Sequence, residues 1–267
     1  MSAGRTDAPE VRSSGPAPAL ARSESTLLSL AGVHTHIGAY HILHGVDLDV
    51  PAGRTTLLLG RNGAGKTTTL RTIMGLWSAS AGQVRFRGSD ITKLATPDIA
   101  RLGIAYVPEN MGVFADLTVR ENLVLAARGA RDADAIDAER LRWIEELFPA
   151  MKKFRDHPAG LLSGGQKQML AVSRAIVEPR ELILIDEPSK GLAPSIIRNM
   201  LDAFRQLKAA GATILLVEQN FAFARELGDT VAVMEDGRIV HRGSLSALAA
   251  DESLQQRLLG LSLGAHQ

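Results

Sequence analysis

Eight consecutive residues, Gly60-Arg61-Asn62-Gly63-Ala64-Gly65-Lys66-Thr67, constrain this chain more than any other stretch. An apolar run, 55–59, leads into them, and residues 66–74 then read as a helix stopped by Gly75. Strand, glycine-rich turn and helix make the P-loop arrangement. Its glycines let backbone N–H groups turn inward around phosphates, and the positive end of the following helix points at them. Lys66 would reach the β- and γ-phosphates, while the Thr67 hydroxyl would hold Mg²⁺. Gly60, Arg61, Asn62, Gly63, Ala64, Gly65, Lys66 and Thr67, with Thr68 directly after them, are the candidate phosphate-binding residues. The chain is expected to bind a nucleoside triphosphate.

Around this loop, short apolar runs alternate with amphipathic helical stretches, the pattern of an α/β domain with a largely parallel sheet. Residues 84–87 and 104–107 are strand candidates. Residues 182–185 are apolar at every position, as a central strand covered on both faces requires, and 214–217 repeat the pattern. Runs 231–234 and 239–242 flank Asp236-Gly237, a hairpin signal because Gly supplies the positive φ. Helices are expected over 117–127, over 138–152 and after Pro194. The second carries Leu141, Ile144, Glu145, Leu147 and Phe148 at mixed helical spacing. The third carries Ile197, Met200, Leu201, Phe204 and Leu207 on one face, with Pro194 in its first turn and Gly211 at its end. These stripes read as core packing.

Composition narrows the partners. Lys and Arg total 30 against 29 acidic residues, which argues against a protein that neutralises phosphate backbones, so no nucleic-acid partner is expected. There are no cysteines, so neither a disulfide framework nor a thiolate metal site can form. No apolar run approaches the roughly 18 residues of a membrane span. Residues 1–26, rich in Ser, Ala, Pro, Gly and Arg, read as a disordered leader, and 261–267 as a C-terminal tail. His34, His36, His41 and His44 cluster early, but their spacing matches no zinc template, and they read as strand and loop surface. The mixed charges of 128–146 read as a solvated helical face.

Two further segments carry chemistry. The apolar run 182–185 ends in Asp186 and Glu187. A P-loop fold needs a carboxylate at a strand end to organise Mg²⁺, a role that suits Asp186. Glu187 then sits where it could orient or deprotonate an attacking water. The other segment is Leu162-Ser163-Gly164-Gly165-Gln166, followed by a helical run through Ile176. Ser163 can cap that helix, and the two glycines leave its N-terminal amides open to an anion. It is a second phosphate-binding helix start, about a hundred residues after the first.

With these residues in hand, the chain resembles the ABC transporter ATPases. LSGGQ is their signature motif, and it lies between P-loop and Asp-Glu strand as it does in that family. The resemblance covers about residues 29–260. It is closer still to the smaller ATPase subunit of branched-chain amino acid importers, through Val107-Pro108-Glu109, Asp186-Glu187-Pro188-Ser189, Gly191-Leu192-Ala193-Pro194 and Val217-Glu218-Gln219-Asn220. It implies a P-loop core with an antiparallel β subdomain and a helical subdomain over about 110–172, within an ATPase domain spanning 27–260.

The resemblance also implies a mechanism. Each ATP, with Mg²⁺, would lie between the P-loop of one chain and Ser163, Gly164, Gly165 and Gln166 of a second ATPase subunit, identical or different. Glu187 would be the catalytic carboxylate, and Gln219 would face the γ-phosphate. Glu109, in the loop joining core to helical subdomain, would sense nucleotide, contribute with Thr67 and Asp186 to the metal shell, and contact the permease. The assembly implied has two transmembrane permease subunits and, indirectly, a periplasmic or extracellular solute-binding protein. The chain would then lie peripherally on the cytoplasmic side of the inner membrane. Glu109, Ala193 and Gln219 depart from most ABC ATPases, which have Gln, Asp and His there, but agree with the subgroup. The aromatic that usually stacks on adenine falls on Ile37, with Tyr40 three residues out of register.

Other classes fit less well. DNA-repair members carry a long coiled-coil insertion and translation-related members two cassettes, and neither occurs here. A P-loop kinase or GTPase would leave LSGGQ unexplained.

Overall fold

Alternating side chains build the central sheet. In the computed structural model, which describes residues 26–127 and 136–260, every residue of strands β3 (Thr55–Leu59), β7 (Leu182–Asp186) and β8 (Thr213–Glu218) is buried. Leu57, Leu59, Ile183, Ile185, Ile214 and Leu216 enter one core; Leu58, Leu182, Leu184, Leu215 and Val217 enter another on the opposite face. Successive side chains of a strand point to opposite faces, so a sheet covered on both sides must be apolar throughout. The expectation for 182–185 and 214–217 holds for this reason.

With β6 (Ile104–Val107), β9 (Thr230–Glu235) and β10 (Arg238–Ser244), these strands form a six-stranded sheet in the order β10-β9-β3-β8-β7-β6. All neighbours are parallel except β9 and β10, which the Asp236-Gly237 turn joins with φ of 44° and 71°. A second sheet, β2-β1-β4-β5, is antiparallel and built from β1 (Thr26–Ile37), β2 (Tyr40–Pro51), β4 (Ala79–Phe86) and β5 (Ser89–Asp90). Its inner face, with Leu28, Val33, Leu43 and Val46, shares a core with Leu70 and Ile73 of α1 (Lys66–Ile73). The strand expected over 84–87 is longer at its start and ends one residue earlier, because Arg87 leaves it at φ 51°.

On the other face lie α3 (Val119–Ala126), α4 (Ala138–Leu147), α5 (Pro149–Lys153), α6 (Gly164–Ile176) and α7 (Pro194–Ala209). The helix expected over 117–127 starts later because Thr118 is its cap: its hydroxyl accepts from Glu121 N, and Glu121 returns a carboxylate to Thr118 N. The single helix expected over 138–152 is two. Phe148 takes φ −134° and ψ 82°, outside the helical region that a following proline disfavours, and Pro149 restarts the helix as its first residue. The stripe on α7 is core as expected, with Met200, Phe204 and Leu207 buried. Short helices α2 (Thr96–Arg101), α8 (Phe221–Ala224), α9 (Leu245–Ala250) and α10 (Glu252–Leu259) complete the described chain. Residues 1–25 of the leader expected over 1–26, the tail 261–267 and residues 128–135 of the charged stretch lie outside the described residues, while Thr26 is not leader but the first residue of β1.

Candidate functional site

The glycine-rich loop leaves the end of β3 and enters α1 directly, so the sheet fixes where it starts and the helix where it points. Gly65 is pinched between two strands. Its φ is 107°, and an added Cβ would stand 3.0 Å from Leu43 Cδ2 and 3.2 Å from Met234 Sδ, so strands β2 and β9 close on the loop. Lys66 is 5% exposed; its ammonium donates to Gly60 O (2.9 Å) and Arg61 O (3.1 Å) and lies 3.6 Å from Glu187 Oε1. A buried cation held by loop carbonyls at the start of a helix suits a triphosphate.

Thr67 and Asp186 meet although 119 positions separate them: the hydroxyl donates to Asp186 Oδ1 at 3.1 Å. Asp186 is fully buried, and burial holds its carboxyl above the usual carboxylate range. The Thr67 hydrogen bond opposes that shift, and the charges of Glu187 and Glu109 add to it. Tyr106 donates to Asp186 Oδ2 at 3.3 Å; burial and then the Asp186 charge push its phenol up to about 12, so it stays a donor. A buried carboxylate beside a hydroxyl, crowded by other carboxylates, is a hard-oxygen donor set short of positive charge. It fits Mg²⁺.

Glu187 follows at the end of β7 with φ 48°, a left-handed conformation rare for a side chain of its size and commonest at working sites. It is 8% exposed. Gln219, at the end of β8, donates its amide NH₂ to Glu187 Oε1 and to Asn62 Oδ1 (2.6 Å). Glu218 beneath is buried and accepts from Ser189 N (2.9 Å), Gln219 N (3.1 Å) and Asn220 N (3.2 Å), tying the start of the turn after β7 to the end of β8. Glu109 does not reach Asp186 or Thr67. It accepts from Lys190 Nζ at 2.6 Å, and Lys190 also lies 3.5 Å from Glu187 Oε2. The structure thus gathers Gly60, Arg61, Asn62, Lys66, Thr67, Asp186, Glu187 and Gln219 at the ends of three neighbouring strands, with Glu109 joined through a lysine.

Ser163, Gly164, Gly165 and Gln166 are not part of that gathering. Their side-chain hydrogen bonds close on themselves as a capping box, Ser163 N to Gln166 Oε1 (2.9 Å) and Gln166 N to Ser163 Oγ (3.3 Å). The two glycines also differ in purpose. An added Cβ at Gly164 would meet open space, but at Gly165 it would stand 2.6 Å from Ile196 Cγ2 of α7. Open amides explain Gly164; close helix packing explains Gly165.

At the far end of β1, Ile37 pairs with Tyr40 across a two-residue turn, and Tyr40 is 76% exposed. The four early histidines lie on the β1–β2 surface, as expected. Their rings nevertheless meet, His36 stacked on His41 at 4.1 Å and His44 tilted against His41 at 4.0 Å, because a register shift between Thr35 and His36 turns His41 onto their face. Among the described residues no group of His, Asp or Glu is arranged to hold a metal in the way three or more ligands would.

Lys190, Tyr106 and Glu218 were not picked out as site residues from sequence. A Lys three residues beyond Glu187, and a carboxylate at the end of a second all-apolar strand, were the available signals.

Residues 43–190 match the profile of the family described as ABC transporter. The chain is 40% identical to the high-affinity branched-chain amino acid transport ATP-binding protein BraG of Pseudomonas aeruginosa, over 88% of this chain and all of that one. It is 37% identical to the probable branched-chain amino acid transport ATP-binding protein LivF of Archaeoglobus fulgidus, over 83% of this chain and 93% of that one. Among solved structures, it superposes on a nucleotide-free ATP-binding cassette from an ABC transporter with a TM-score of 0.74 at 25% identity, over 89% of this chain and 99% of that one. An ATP-binding subunit of an ABC transporter gives 0.70 at 31% identity, over 89% and 96%.

Proposed function

We propose that this chain, which belongs to the ABC transporter family, is the ATP-hydrolysing motor subunit of a branched-chain amino acid importer. The observation that carries the reading is the convergence of Lys66, the Thr67–Asp186 pair, Glu187 and Gln219 at the carboxyl ends of β3, β7 and β8, neighbours in the sheet. Ligands of open parallel sheets bind at that end. In this reading Lys66 and the loop amides hold the β- and γ-phosphates. Thr67 and Asp186 would hold Mg²⁺, which neutralises phosphate charge when bound. Glu187 accepts a proton from the attacking water, and the Gln219 amide orients that water and the carboxylate.

The signature turn, whose side-chain hydrogen bonds close on themselves, leaves Gly164 open for the nucleotide of a second ATPase subunit. A groove of ≈ 700 Å³ beside the Glu109 loop, lined by Trp77, Pro108, Asn110, Met111 and Arg174, is where we place a permease segment. Trp77 and Arg174 line it, the latter donating to Gly112 O of the same loop. No helix of the described chain is long and apolar enough to cross a membrane, and we assign the channel to two permease subunits. Residues 110–172 form the helical subdomain in this reading. The cargo is inferred from the names of the similar proteins and needs its own test. A strain carrying Glu187→Gln should lose uptake of labelled leucine, isoleucine and valine; unchanged uptake of all three would refute the cargo.

A further inference from the structure

The turn after β7 folds its fourth residue back onto its first. Lys190 N donates to Glu187 O at 3.2 Å, and Glu187 (φ 48°) and Gly191 (φ 69°) both take left-handed conformations that tighten the bend. The Lys190 ammonium is thereby set between two carboxylates from distant parts of the chain, 2.6 Å from Glu109 Oε1 and 3.5 Å from Glu187 Oε2. Nearby Asp186 supplies a third carboxylate, whose carboxyl responds to both others. Lys66, the other cation on Glu187, is bound to two carbonyls and to the second oxygen of that carboxylate. Arg71 meets the Tyr106 hydroxyl that donates to Asp186, so Asp186 has a cation at one remove; of the two ammonium groups on Glu187, Lys190 is the one that can leave. Its side chain is 57% exposed, so its ammonium can swing into water at little cost.

We propose that Lys190 is a positioning residue that stands in for a divalent cation, holding Glu109 against Glu187 until Mg²⁺ displaces it, and so sets how much Mg²⁺ the chain needs to load nucleotide. The proposal rests on the ATP-site reading above. It assigns a use to the Glu109 loop, which lines the groove: loading Mg²⁺ frees that loop from the end of β7.

The test measures binding of the β,γ-imido analogue of ATP against free Mg²⁺ for the wild type, Lys190→Leu, Lys190→Arg, Glu109→Gln and the Glu109→Gln/Lys190→Leu pair. Removing a competing charge from a partly exposed cluster should lower the half-saturating Mg²⁺ of Lys190→Leu by about three- to tenfold. Lys190→Arg, which keeps the charge, should stay near wild type. In the Glu109→Gln background the effect of Lys190→Leu should shrink by at least about half, since one of its two partners has lost its charge. Superimposable Mg²⁺ titrations for wild type and Lys190→Leu, or a higher requirement in the variant, would overturn the proposal alone. A wild-type chain that binds no analogue at any Mg²⁺ concentration would overturn the site reading and this proposal with it.

Discussion

Gln219 donates one side-chain amide to both Glu187 Oε1 and Asn62 Oδ1, linking the end of β8 to the end of β7 and to the phosphate loop. A glutamine amide does not titrate near neutral pH, so Gln219 can position but cannot act as a base, leaving that to Glu187. Gln219→Ala should slow hydrolysis by about tenfold to a hundredfold while leaving ATP binding nearly intact. Gln219→His should retain activity and add a pH dependence near the imidazole value of about 6.5. Steady-state ATPase from pH 6 to 9 decides this, and full activity in Gln219→Ala would make the position structural.

Asp186 gives a pH signature of the opposite kind. Burial holds its folded-state value above its unfolded one, so between the two the folded chain binds more protons. Its contribution to stability is therefore fully present below the unfolded value and lost as pH rises through the folded one. Asp186→Asn, which carries no charge, should melt higher than wild type without nucleotide. That advantage should grow from about pH 4, the ordinary aspartate value, to a plateau above the folded value. The same variant should bind Mg·ATP at least about tenfold more weakly, because the amide offers the metal no charge. Thermal unfolding across pH, with and without Mg·ATP, reads both; an Asn variant less stable at every pH would refute the cause assigned to the shift.

The paired glycines of the signature turn should separate by stability. Gly165→Ala must push Ile196 aside and should cost about 1–3 kcal/mol, whereas Gly164→Ala meets open space at the helix start and should be neutral or stabilising by up to about 1 kcal/mol. Urea unfolding of the two variants is the comparison. Equal losses would remove the packing explanation for Gly165.

The parts legible in sequence were those where one physical demand acts alone. β3, β7 and β8 are buried on both faces, so their apolar runs admitted one reading, and the carboxylates at their ends followed from it. Strand β1 was harder, because register shifts at Leu30/Val33, Val33/His34 and Thr35/His36 break its alternation. Along 138–152 an apolar stripe outweighed the proline that splits the helix. The Lys190–Glu109 pair spans 81 positions and depends on a turn geometry that no local pattern encodes.

The division of labour between Lys66 and Glu187 is the centre of the account. Both are buried, 3.6 Å apart, yet one is assigned to hold phosphate and the other to activate water. The direct measurement is single-turnover hydrolysis and equilibrium Mg·ATP binding for Lys66→Ala and Glu187→Gln, in the assembled transporter. Lys66→Ala should lose most ATP binding. Glu187→Gln should bind within about threefold of wild type and hydrolyse at least about a hundredfold more slowly. Hydrolysis at the wild-type rate in Glu187→Gln would contradict the account.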